Sequence, residues 1–267
     1  MQKNALNLAA IIAAALLTAC GGNSDEIAAN VLVPSPTPPD AAETAAFNAS
    51  KQGRKEIQLG SEISWQPYSI SVNGHTIIRS SGSRSNAVME KNFRSLPAGF
   101  AAYNGIYTDS TDNARVNVRS YQGFRSGVLA LYSDDEFINV VPYGVPTPSA
   151  AIPTAGKATY NGIAFDHSER GNFTYHVDFA AKTGQGRVDG LSKYGDITLA
   201  TGNITQERLR DDSNGTGIVG KASATKGSSF DYGLVFFGHR AEEITGYVAN
   251  DKEEGIGLLG TRGAITE

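Results

Sequence analysis

Phe173-Thr174-Tyr175-His176-Val177-Asp178-Phe179 carries a large apolar side chain at every second position. That period of two puts Phe173, Tyr175, Val177 and Phe179 on one face of an extended strand and Thr174, His176 and Asp178 on the other. The first set faces a core, and His176 points away from it. Helical spacing would scatter the same aromatics around an axis. Phe230, Tyr232, Leu234 and Phe236 repeat the alternation.

Working outward, further short runs at 157–165, 186–190, 197–200, 218–223, 244–249 and 256–259 stand between Gly, Asn, Asp and Ser punctuation. Together they make about eight strands after Gly156. That number closes a small antiparallel barrel filled by its own side chains, which leaves no sheet edge exposed. Pro142, Pro146, Pro148 and Pro153 separate this region from a front portion with strands around 62–80, 114–119 and 127–132. Those strands are too few for a second barrel of the same size and predict a smaller sheet packed against the first. Within it, Tyr68-Ser69-Ile70-Ser71-Val72 is followed by Asn73-Gly74 and then residues 75–78. Asn-Gly between two such runs predicts a tight two-residue hairpin. The fold class is all-β.

The amino terminus reads differently. Residues 1–4 bring one positive charge and residues 5–17 form an apolar run too short to span a bilayer, the pattern of a signal peptide over 1–19. The run ends in Leu17-Thr18-Ala19-Cys20-Gly21, which resembles the lipobox of bacterial lipoproteins and marks Cys20 for lipidation. Cys20 is the only cysteine, so no disulfide or cysteine metal site supports the body. Residues 20–55, rich in Gly, Ser, Ala and acidic residues with Pro34, Pro36, Pro38 and Pro39 clustered, read as a disordered tether that holds the body off the lipid. The domains are then 1–19 signal peptide, 20–55 tether, 56–150 front domain and 151–267 barrel. A net charge of −4 provides no broad basic field, which argues against nucleic acid as a partner.

Candidate chemistry is sparse. Asp178, Lys182, Glu242 and Glu243 read as exposed strand-end charges, because paired-carboxylate catalysis requires a separation across a cleft that sequence spacing does not specify. Gly184-Gln185-Gly186 lies between strands with no helix to present amides to a phosphate, and reads as a hairpin turn. Asp211-Asp212-Ser213-Asn214-Gly215 lacks the closing glutamate of a calcium loop. The four histidines, His75, His167, His176 and His239, show no pair at ligand spacing, so no zinc site and no required cofactor is read. His239 reads as a solvated turn residue. His75, beside the Asn73-Gly74 turn, and His167, in the loop 166–171, are the candidates for axial ligands to haem carried as cargo. In the front domain Arg79, Arg84, Lys91, Arg94, Arg115, Arg119 and Arg125 lie among Phe93, Phe100, Tyr103, Tyr107, Tyr121 and Phe124. Arginine mixed with aromatic groups is enriched where proteins bind proteins; the same residues also suit a core with a solvated rim. Phe93, Arg94, Arg119, Tyr121, Phe124 and Arg125 are the candidate contacts.

Three ordered stretches, Gly156-Lys157-Ala158-Thr159-Tyr160-Asn161-Gly162, Phe173 through Gly186, and Phe236-Phe237-Gly238-His239-Arg240-Ala241-Glu242-Glu243-Ile244-Thr245-Gly246, resemble the barrel of the transferrin-binding-protein-B-like surface lipoproteins. The family more often has Gly-Pro or Gly-Gly where this chain has Gly238-His239. The resemblance implies an eight-stranded barrel, a smaller handle domain, and lipid-anchored display on the outer membrane through a surface-lipoprotein translocator. It also implies a non-enzymatic function: capture of a host protein, with haemoglobin or haem for iron acquisition as the leading expectation and delivery to an outer-membrane transporter. Binding of complement factor H, or of a transferrin-type iron carrier, is the alternative that the same barrel carries.

Overall fold

The computed structural model describes residues 38–57, 67–82, 87–110, 113–133, 136–208, 214–251 and 254–267. The residues read as signal peptide, with Cys20 and those read as tether up to residue 37, and also Arg84 and Asp211 to Ser213, lie outside the described residues.

The carboxy-terminal strands are β9 (Lys157–Phe165), β10 (Arg170–Asp178), β11 (Thr183–Leu191), β12 (Gly195–Arg208), β13 (Asn214–Ala224), β14 (Ser229–Phe237), β15 (Glu243–Ala249) and β16 (Gly255–Arg262). Each pairs antiparallel with the next, and β16 returns to β9 with Gly260 opposite Gly162, closing the barrel. Phe173, Tyr175, Val177 and Phe179 are buried while His176 is exposed, as the alternation requires. The barrel interior is aromatic: Tyr175 and Tyr232 share a hydroxyl contact of 3.0 Å, and Tyr232 donates onward to the Ala200 carbonyl at 2.6 Å. Gly184-Gln185-Gly186 is not a turn. It lies within β11, where a side chain at Gly184 would meet the Tyr175 ring at 2.5 Å, so the glycine makes room for the core aromatic.

The front portion forms an open sheet of β1 (Gln52–Ile57), β2 (Tyr68–Val72), β3 (His75–Ser81), β4 (Ala87–Asn92), β5 (Gly99–Asp109), β6 (Asn113–Gln122), β7 (Ser126–Ser133) and β8 (Glu136–Gly144). The order is β1-β4-β3-β2-β5-β6-β7-β8, so it has as many strands as the barrel, more than the sequence reading allowed. The β2–β3 hairpin turns at Asn73 (φ 50°) and Gly74 (φ 78°), the left-handed pair that an Asn-Gly turn adopts. One face of the sheet encloses Ile70, Ile77, Phe93, Val118, Leu129 and Tyr143.

Helix α1 (Ala41–Ser50) sits against both edge strands, β1 and β8. Asp40 and Glu43 form a reciprocal capping box at its start, and Phe47 packs against Tyr143 with ring centroids 6.2 Å apart. The tether reading over 20–55 is therefore corrected at its carboxy-terminal end. Few apolar positions face inward from α1, but the capping box and one buried phenylalanine suffice to dock it. The outer surface of β7 and β8 packs on β15 and β16, where Tyr121, Val128, Ala130, Tyr132, Phe137 and Val140 meet Phe165, Ala249 and Leu259.

Candidate functional site

The sheet and the barrel are joined by buried charge. Glu243, the first residue of β15, is fully buried and accepts the main-chain N–H of Phe124 at 2.8 Å, the N–H of Arg125 at 3.1 and 3.2 Å, and the Ser126 hydroxyl at 2.6 Å. Burial pushes its carboxyl above the ordinary value, and those hydrogen bonds draw it back. The Arg125 side chain turns the other way, onto Glu43 of α1, with Nε to Oε1 at 2.8 Å and Nη2 to Oε2 at 2.9 Å. Glu43 also accepts the His239 N–H at 3.2 Å. Burial alone would raise the Glu43 carboxyl, but the Arg125 hydrogen bond and charge outweigh it and hold the group below its ordinary value. Helix, sheet turn and barrel are thus linked through two carboxylates.

This corrects the reading of Glu242 and Glu243 as exposed charges: both are buried, since the loop 123–126 folds over the start of β15. Asp40, Glu43 and His239 bring ligand-type atoms within 4.8 Å of one another, but the Glu43 oxygens are already committed to Arg125 and to main-chain N–H groups. A cation there would have to displace a buried guanidinium. His239 is exposed, as a turn residue should be.

The candidate contacts divide. Phe93 has no exposed surface and its ring lies 4.9 Å from that of Tyr143; Tyr121 packs into the sheet–barrel core; Arg125 is 3% exposed on Glu43. These three are structural, and the expectation that they touch a ligand is corrected. Their types suit a binding face equally well, and only the packing reveals their roles. Phe124 is 42% exposed, Arg94 is exposed, and Arg119 is half-buried. His75 is exposed beside its hairpin, whereas His167 lies on the barrel with its ring edge-on to Tyr132 at 6.0 Å. The two haem-ligand candidates therefore sit on different modules.

One surface does gather the expected chemistry. Along β6, Val116, Val118 and Ser120 enter the core, so Arg115, Asn117 and Arg119 face outward. Register sets Ile106 opposite Arg115, Asn104 opposite Asn117 and Ala102 opposite Arg119 on the same face. Phe100 is held between two guanidiniums, Arg119 at 5.8 Å from the sheet and Arg170 at 4.8 Å from the barrel, and meets Phe165 edge-on at 5.6 Å. Asn117 ties the ledge to the barrel by donating to the His167 carbonyl at 3.2 Å. No outward-facing residue of β5 or β6 is acidic, and Ile106 is 53% exposed. Ile106 and Arg170 were not singled out in the sequence. The β5–β6 register would have found the first, while the second comes from a distant part of the chain.

Residues 150–248 match the family model described as Factor H binding protein, C-terminal, which falls on the barrel and the segment leading into it. Among solved structures, the chain is similar to the vaccine antigen Transferrin Binding Protein B of Haemophilus parasuis Hp5, solved as a tryptophan-to-alanine mutant. The identity is 12% and the TM-score 0.41, with 71% of this chain and 51% of that chain covered. The chain thus spans about half the length of that protein.

Proposed function

We propose, from a barrel of the factor H binding protein C-terminal type, that this chain is a lipid-anchored bacterial surface protein that captures a host protein and performs no chemistry on it. The observation that carries the reading is the ledge of Arg115, Arg119 and Arg170 around Phe100 and Ile106, with no outward-facing acidic residue on β5 or β6, in a chain of net charge −4. Arginine and exposed apolar groups side by side anchor protein partners, and a local positive field steers acidic ones toward it. Haemoglobin is the leading partner, taken as a protein or with its haem, and an outer-membrane transporter would receive the cargo. His75 and His167 are the candidates for direct haem ligation. Cys20 supplies the lipid anchor in the membrane, and a translocator of surface lipoproteins would carry the chain outward.

A second reading has its own support. The family model matched by the barrel bears the name of factor H binding, so capture of that complement regulator for immune evasion is the competing role, with a transferrin-type carrier behind it. The mature chain carrying Cys20→Ser, immobilised and exposed to serum and to haemolysate, separates them. Retention of haemoglobin supports the first reading and retention of factor H the second. Retention of neither at micromolar concentration contradicts both. A Soret band on adding haem, lost in His75→Ala or His167→Ala, would mark direct ligation.

A further inference from the structure

On the barrel wall away from the sheet, β9 to β12 carry an open groove of about 650 Å³ with a mixed polar and apolar lining. Its floor is a row of polar side chains on neighbouring strands. Thr159 pairs with His176 and His176 with Gln185 in register, and Thr201 of β12 reaches Gln185. The row is ordered in advance: the Thr159 hydroxyl and His176 Nδ1 are 2.9 Å apart, and the Thr201 hydroxyl donates to the Gln185 side-chain carbonyl at 2.8 Å. His176, Gln185 and Asn161 line the groove, and the two bonds named use only Nδ1 of His176 and the side-chain carbonyl of Gln185. One wall is the carboxy-terminal segment, fixed by paired main-chain bonds between Lys157 and Thr266 at 2.7 and 2.9 Å.

Charge is confined to one end, where Lys157 and Asp178 pair at 3.2 Å and Asp178 also accepts the Ala181 N–H. Among the described lining residues Lys157 is the only lysine and no arginine is present, and that lysine is paired. Among the described residues no Phe, Tyr or Trp lines it, and its one large aliphatic, Val177, is buried. A protein partner would lack an anchor there. What the surface does offer is alternating donors and acceptors at strand spacing, with threonine methyls and Ala264 between them, which matches the hydroxyls and C–H faces of a neutral sugar. We propose that this groove is a binding site for neutral oligosaccharide, separate from the arginine ledge and independent of the reading of that ledge.

The site has no aromatic platform and is open, so the expected affinity is weak, with millimolar dissociation constants. The test is an amide-resolved NMR titration of the mature Cys20→Ser chain with lactose, N-acetyllactosamine and maltotriose, up to about 20 mM, with inorganic phosphate in parallel. Saturable shifts confined to the neighbourhood of Thr159, Asn161, His176, Gln185 and Thr201 for at least one sugar, weakened at least about fivefold in Gln185→Ala and in His176→Ala, are expected. Both residues are exposed on the outer barrel face, so the spectra of the variants should otherwise remain those of the folded chain. The proposal is overturned by no shift with any of the sugars, by shifts located elsewhere, by sugar affinity unchanged in both variants, or by phosphate occupying the groove in their place.

Discussion

The Glu243 carboxylate, buried at the start of a barrel strand, accepts the main-chain N–H of Arg125 in the sheet at 3.1 and 3.2 Å. The same carboxylate holds the neighbouring Phe124 N–H and Ser126 hydroxyl, so a single acidic side chain fixes where the sheet turn lies on the barrel. The ledge that includes Arg119 and Arg170 exists only if that docking holds, because one arginine comes from each module.

Glu243→Ala removes the shared acceptor of three donors in a dry interface. Leaving such donors unpaired costs about 1–3 kcal/mol each where water cannot reach them, so a loss of about 3 kcal/mol is expected after local relaxation. In urea the wild-type chain should unfold in one transition. The variant should unfold earlier, with the sheet and the barrel separating into two steps.

Glu43 provides the pH dependence. Its folded-state value lies below the ordinary 4.5, so the contribution of its pair with Arg125 is complete above the unfolded-state value and is lost as pH falls through the folded-state one. Glu43→Gln should cost about 2 kcal/mol at neutral pH. The gap between wild type and variant in thermal melts should narrow below about pH 4.5. A gap that widened in acid would reverse the sign. Glu243, raised by burial, contributes in the opposite sense: its contribution is present at low pH and declines as pH rises through its folded-state value.

Phe47 is the anchor of α1, 6% exposed and packed on Tyr143. Phe47→Ala should destabilise by about 3 kcal/mol. Hydrogen exchange should accelerate in β1 and β8, the edges that α1 covers, before it does so in the barrel.

The barrel tyrosines should respond asymmetrically. Tyr175→Phe leaves Tyr232 donating to Ala200 and should cost about 1 kcal/mol. Tyr232→Phe strands both the Tyr175 hydroxyl and the Ala200 carbonyl, so about 2 kcal/mol is expected. Equal effects in chemical denaturation would refute the donor order inferred here.

The barrel was legible because side-chain alternation depends only on neighbours along the strand: Phe173 to Phe179 could face inward in one register alone. Asn73-Gly74 was legible for the same local reason. The sheet was less so, since β4 and β5 mix small and polar residues and Pro142 of β8 reads as part of the domain boundary. Helix α1 escaped notice because its inward face consists of Glu43 and Phe47, too few for a period, with prolines close before it. Glu243 and Arg125 were misread because burial of a charge depends on partners 82 and 118 residues away along the chain. The arginine–aromatic surface was visible as composition. Its true members, Ile106 and Arg170 in place of Phe93, Tyr121 and Arg125, emerge only from packing.

The most direct test is the dissociation constant for haemoglobin of the mature Cys20→Ser chain beside its Arg119→Glu/Arg170→Glu form, at two ionic strengths. Saturable wild-type binding that weakens with salt, and at least about tenfold in the variant while it remains folded at the assay temperature, is the predicted result. No wild-type binding, or equal affinity in the two proteins, would contradict it.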